Sequence, residues 1–153
     1  MAKKKSRPTK TIVNRRAKFD YRLGETFIAG LELTGAETKA LRLGHGQLTG
    51  AYVTIKDNQL YVLNMTINGT NGIRISESDQ TRTRRLLAKR REINQLIRLK
   101  QQGETIVPLE LLTKGRFIKL KIASAQGKKL YDKRQTIKAR DEARNIQAIL
   151  KNR

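Results

Sequence analysis

Between Arg116 and Ala123 apolar side chains alternate with cations: Ile118, Leu120 and Ile122 fall on one parity, Lys119 and Lys121 on the other. A period of two is that of a β-strand with one buried face and one wet face, and here the wet face is basic. Such a strand needs partners, and the chain offers several. Thr105 to Leu112 is a second strand-like run, joined to the first by a turn at Lys114 and Gly115. Ala51 to Ile55 and Gln59 to Ile67 read as an antiparallel hairpin across Lys56, Asp57 and Asn58. Phe19 to Leu33, rich in aromatic and branched residues with Gly24 and Gly30 as bends or bulges, adds one or two strands. The expected fold class is mainly β with α: an antiparallel barrel of five or six strands, of the oligonucleotide-binding type, with a packed long helix and a basic tail.

Thr34 followed by Glu37 has the form of a capping box and predicts a short helix through Lys39 and Arg42 that stops at Gly44. Asn68 to Ser78 reads as a loop. Asp79 or Thr81 then caps a long helix running to about Gln102, with Gly103 past its end. Leu86, Ile93 and Ile97 share one face of that helix, flanked by Leu96, and should pack on the sheet. Arg84, Arg91 and Arg98 recur every seven residues beside Leu87, on a face predicted to be exposed. Acids are nearly missing there, which favours a phosphate-contacting face over an ordinary solvated one. The division expected along the chain is a disordered basic start over 1–11, a barrel over 12–126 and a tail over 127–153.

Charge decides the class of partner. Of the 153 residues 34 are Lys or Arg and 13 are Asp or Glu, a net charge of +21, so the partner is a polyanion. The cations are segregated: nine against one acid over 1–22, eight against one over 81–100, and nine against three from Gly127 onward. On a helical wheel Lys133, Arg140, Arg144 and Lys151 oppose Ala143, Ile146, Ile149 and Leu150. The tail has too few large apolar residues to anchor itself, so it is expected to be disordered alone and helical on a partner. The apolar runs fall well short of the roughly 20 residues of a membrane helix. No apolar segment follows Lys3, Lys4 and Lys5 as a signal peptide would require, so the expectation is a soluble, cytoplasmic monomer with no membrane partner.

Catalysis finds little support. With no Cys and one His, disulfide and metal chemistry lack ligands, and no cofactor is expected. His45, between Gly44 and Gly46, reads as a turn residue without an acid partner beside it. Glu25, Glu32, Glu37, Asp57, Glu77 and Asp79 fall at strand ends, caps and turns. Tyr21, beside Phe19 and the Arg15–Arg16 pair, could stack on a base, whereas Phe27, Tyr52, Tyr61 and Phe117 are assigned to the core. A non-enzymatic RNA binder that reads shape and phosphate is the reading.

Collinear motifs then resemble a known family. Asn14, Arg15, Arg16 and Ala17, then Phe19, Asp20 and Tyr21, then Ala29, Gly30 and Leu31, then Gly35, Glu37, Lys39, Leu41 and Arg42 look like the SsrA-binding, or small protein B, family. Thr81 to Leu87 with Arg91, Glu92 and Ile93 resembles its long helix. Gly127, Lys128 and Lys129 with Asp132, Lys133 and Arg134 resemble the signature before its tail. The resemblance implies a barrel that binds the tRNA-like domain of transfer-messenger RNA near its elbow. It also implies a tail that enters the A site and message channel of the small subunit of stalled ribosomes, so that the nascent peptide is tagged. Elongation factor Tu and alanyl-tRNA synthetase would be met through the RNA.

Carried over by position, Asn14, Arg15, Arg16, Tyr21, Glu37, Lys39, Arg42, Leu87, Lys119 and Lys128 would touch RNA, beside Arg84 and Arg91 of the basic helix face. Asp132, Lys133 and Arg134 would act in the decoding centre, followed in the channel by Arg140, Arg144, Ile149, Leu150 and Lys151. Ile28 stands where the family has Glu, so that contact is not carried over; Ala40, Gln80 and Gln126 also depart from the pattern. A structural ribosomal protein bound to ribosomal RNA is the alternative of the same size and charge. A nuclease has only scattered carboxylates in its favour.

Overall fold

The computed structural model describes residues 11–152, so the expected disorder of the basic start falls almost wholly outside the described residues. In chain order the elements are β1 (Ile12–Val13), α1 (Ala17–Asp20), β2 (Tyr21–Leu31), α2 (Gly35–Arg42), β3 (Gly46–Gln47), β4 (Tyr52–Lys56), β5 (Gln59–Leu63), β6 (Thr66–Ile67), α3 (Glu77–Gln80), β7 (Arg84–Leu87), α4 (Arg90–Gln101), β8 (Thr105–Leu112), β9 (Lys119–Gly127) and α5 (Leu130–Lys151). β3 and β6 form a separate two-stranded sheet, while the other seven strands pair antiparallel in the order β1-β8-β4-β5-β7-β2-β9, with β8 also pairing with β9. That last pairing closes β8, β4, β5, β7, β2 and β9 into a six-stranded barrel, with β1 outside the ring, so the ring has no free edge to protect.

Local chemistry explains the individual elements. Thr34 Oγ1 accepts from Glu37 N at 3.3 Å while Glu37 Oε2 accepts from Thr34 N at 3.1 Å, the reciprocal cap expected for α2. Gly44 follows at φ +86°, a left-handed position that ends the helix without Cβ strain. β4 and β5 are joined by Asp57 and Asn58, both with positive φ, the mirror-image turn whose twist suits a hairpin. In β9 the alternation is realised: Leu120 and Ile122 are wholly buried, and Lys119 is exposed. They meet Ala29, Leu60, Val62, Leu86 and Ile106 in one continuous core, to which α2 adds Leu41 and α4 adds Ile93 and Leu96.

The helix expected from Asp79 or Thr81 to Gln102 is shorter. It begins at Arg90, and Arg84–Leu87 is a strand instead. β7 fills the place between β5 and β2, through Leu60↔Leu86 on one side and Leu31↔Leu86 on the other, so the barrel would be open without it. The helical start signal lies later, where Lys89 N donates to Glu92 Oε2 at 3.1 Å. Leu86 packs inward as expected, but from a strand.

With alternate residues of β7 pointing inward, Arg84 is completely buried together with Leu86. Its guanidinium donates to Glu37 Oε1 at 3.1 and 3.3 Å and to the carbonyls of Met65, Asp79, Arg82 and Gln80 at 2.7–3.2 Å. Arg82 donates to both oxygens of Glu37, at 2.7 and 2.8 Å. Burial works to raise the Glu37 carboxyl, but the bonds from Arg82, the Thr34 amide and Arg84 outweigh it and hold it below the ordinary range.

Glu37→Gln keeps the shape and removes the charge that compensates Arg84, and is expected to cost about 3 kcal/mol near neutral pH. Because the folded-state pKa is depressed, the wild-type advantage is present above the unfolded value of about 4.3 and fades as pH falls below it. Urea midpoints of both proteins between pH 7 and pH 3 check this. A gap absent at pH 7, or one that widens on acidification, contradicts it.

Candidate nucleic-acid interface

Residues paired across antiparallel strands share a face, so the register fixes what the barrel shows to solvent. Lys119, Gly30 and Leu87 form one row across β9, β2 and β7, and Lys121 and Ile28 form the next across β9 and β2. Ile28 and Leu87 are each 51% exposed, and Lys119 is exposed. Gly30 leaves a notch between Lys119 and Leu87; a Cβ there would lie 3.3 Å from that of Leu87. Arg85, whose guanidinium is held by Gln59 Oε1 at 2.9 and 3.2 Å, extends the face. Glu110 of β8 stands opposite Lys121. The face thus presents exposed apolar side chains between cations, a combination that can meet phosphate and the flat face of a base together.

A second basic region surrounds the root of α5. The Lys128 amide donates to Asp20 O at 3.0 Å, Lys133 Nζ lies 3.3 Å from Asp20 Oδ1, and Arg22 lies 3.6 Å from Asp132. Partial burial works to raise the Asp20 carboxyl, and the hydrogen bonds from Lys133 and Arg16 hold it below its ordinary range nonetheless. Arg16, Lys133 and Arg140 each place their charge 6.0 Å from the Phe19 ring centroid. Beyond this root α5 is solvated: none of its 22 residues is buried, and Ile146, Ile149 and Leu150 are 58–63% exposed.

Arg15, Arg16, Lys39, Arg91, Arg134, Arg144 and Lys151 are exposed, with Tyr21, Lys128, Asp132 and Lys133 half-buried. Three residues do not stand where a surface role would put them. Glu37 is 1% exposed and spends both oxygens on the α2 cap and two arginines, so it is a structural anion and not an RNA contact. Arg84 lies inside the barrel, because it belongs to a strand and not to the stripe that ends in Arg91 and Arg98. Asn14 is 8% exposed; its Nδ2 donates to Pro108 O at 3.0 Å and fastens the chain beside the exposed Arg15 and Arg16. Arg42 is half-buried and donates to the carbonyls of Thr113 and Arg116, at 3.0 Å each.

Two aromatics assigned to the core are on the surface: Phe117 is 69% exposed and Tyr52 42%. Parity with Lys119 and Lys121 held the signal for Phe117, which the structure places in the bend just before β9. Phe27 packs partly buried against the core as expected, and Tyr61 is half-buried. Among the described residues no helix is long and apolar enough to cross a membrane.

Sequence comparison finds relatives along nearly the whole chain. The family model described as SmpB protein matches residues 11–152. The chain is 42% identical over 141 residues to the SsrA-binding protein of Gloeobacter violaceus, covering 92% of this chain and 93% of the relative. It is 43% identical over 153 residues to that of Oenococcus oeni, covering 99% of each. A solved structure described as "tmRNA-SmpB: a journey to the center of the bacterial ribosome" superposes with a TM-score of 0.64 at 34% identity, over 78% of this chain and 85% of the other. With the family model and relatives matching along nearly its whole length, the chain belongs to the SmpB family.

Proposed function

We propose that this chain is a non-enzymatic RNA-binding protein of trans-translation, working in the cytoplasm with transfer-messenger RNA and the ribosome. The barrel holds the tRNA-like domain through Lys119, Leu87 and the notch at Gly30, helped by Arg15, Arg16, Tyr21, Lys39, Arg91 and Lys128. The tail helix enters the A site of a stalled small subunit, with Asp132, Lys133 and Arg134 in the decoding centre and Arg140 to Lys151 in the vacant message channel. Elongation factor Tu and alanyl-tRNA synthetase meet the protein through the RNA.

The observation that carries the reading is α5. A helix of 22 residues with none buried and no side-chain cap at its start gains nothing from the barrel beyond its root. A helix standing on local terms is marginal in water. A partner walled by phosphate would supply what the chain does not, since each cation laid on a phosphate releases counterions. Membership of a family whose curated members are called SsrA-binding proteins names that phosphate.

Truncation before Asp132 is expected to leave binding to the tRNA-like domain within about twofold and to abolish peptide tagging in a reconstituted translation system. Tagging that survives truncation refutes the division of labour. On the barrel, Lys119→Ala and Arg91→Ala should each lower the slope of log affinity against log salt by up to about one, the share of one phosphate. Leu87→Ala should weaken binding with the slope unchanged. Arg84→Ala should instead lower the melting temperature, and a pure slope effect there would return it to the surface set.

A further inference from the structure

The β8–β9 hairpin tip, residues 113–118, presents a feature that the reading above leaves unused. Phe117 is the most exposed phenylalanine or tyrosine among the described residues, at 69%, with Lys114, Gly115 and Arg116 before it and Lys119 beyond. A large apolar ring in water is costly, and an isolated one among cations does not make the contiguous apolar patch of a protein-binding site. The ring is also held in place. Arg42 reaches from α2 to the Thr113 and Arg116 carbonyls, which fixes the loop on both sides of its turn. The Arg116 guanidinium sits 5.5 Å from the ring centroid.

Position gives the ring a use. Phe117 lies two residues before Lys119, in the bend that leads into β9. Lys119 belongs to the row with Gly30 and Leu87, so the tip borders the cationic face of the barrel. Beside it is a cleft of about 500 Å³ lined by Thr11, Glu110, Leu112, Lys114 and Phe117, within the range of sites that take small planar groups. An aromatic ring with a guanidinium beside it and phosphate-binding cations on either side is the equipment for stacking an unpaired nucleobase.

We propose that the β8–β9 tip is a base-stacking finger: Phe117 stacks on an unpaired base of the bound RNA, Arg116 and Lys119 take the adjoining phosphates, and Arg42 is the positioning residue that keeps the finger aimed. This rests on the RNA-binding reading above.

The chain contains no Trp, so Phe117→Trp installs a single indole at the tip. Titration of this variant with the tRNA-like domain of transfer-messenger RNA, with binding followed in parallel by electrophoretic mobility shift, is the test. The expected result is indole emission quenched in step with complex formation as the mobility shift reports it. Phe117→Ala should lose between about fivefold and about a hundredfold in affinity at an unchanged salt slope, whereas Arg116→Ala should lower the slope by about one. Emission unaltered while the shift shows RNA bound overturns the finger and leaves the RNA-binding reading standing, as does Phe117→Ala binding like the wild type. Failure of the wild-type protein itself to bind the RNA overturns both.

Discussion

A guanidinium with no water around it must have every donor met and its charge answered, and Arg84 meets that demand by gathering three stretches of chain. Glu37 comes from α2, Met65 from the stretch before β6, Asp79 and Gln80 from α3, and Arg82 from the run into β7. Glu37 and Met65 are far in sequence from each other and from the 79–84 run, and this one side chain ties them to it. Replacing both charges with apolar groups could be neutral, but removing either one leaves the other stranded in the barrel. The same Glu37 that answers Arg84 also caps α2, so the position of Lys39 and Arg42 on the surface follows from an ion pair beneath them.

From that anchoring the molecule divides into a closed part and an open one. The barrel consumes the large apolar side chains of β2, β5, β7, β8 and β9 and turns a face of Lys119, Lys121, Ile28 and Leu87 outward. α5 consumes none and leaves through the Asp20–Lys133 and Phe19 contacts, all of them partly solvated pairs worth little individually. The helix is therefore aimed more than it is held. Such an arrangement suits a protein that keeps one RNA on a rigid surface while a basic arm seeks a second site.

Much of this was legible in the residues, and the gaps have physical causes. The Thr34–Glu37 box, the Asp57–Asn58 turn and the alternation of Ile118 to Ile122 are local patterns whose partners lie within a few residues, and each folds as the pattern implies. Arg84 to Leu87 is too short to separate a period of two from one of 3.6, and spacings of seven to Arg91 and Ile93 imitate a helix. Only the need for a strand between β5 and β2 decides it, and that need is tertiary. For the same reason the heptad spacing points Arg84 outward although it is buried, since its answering acid is 47 positions away. At Phe117 two signals conflict: aromatic character in a strand-like run points to the core, parity with Lys119 points outward, and parity matches its exposure.

The central claim is that this surface recognises one RNA and is not merely a polycation. Binding to the tRNA-like domain of transfer-messenger RNA and to elongator alanine tRNA, side by side at two salt concentrations, tests it most directly, because the nonspecific electrostatic share falls with salt for both. The account predicts a preference for the transfer-messenger RNA domain that persists at the higher salt. Equal affinities that collapse together would contradict it.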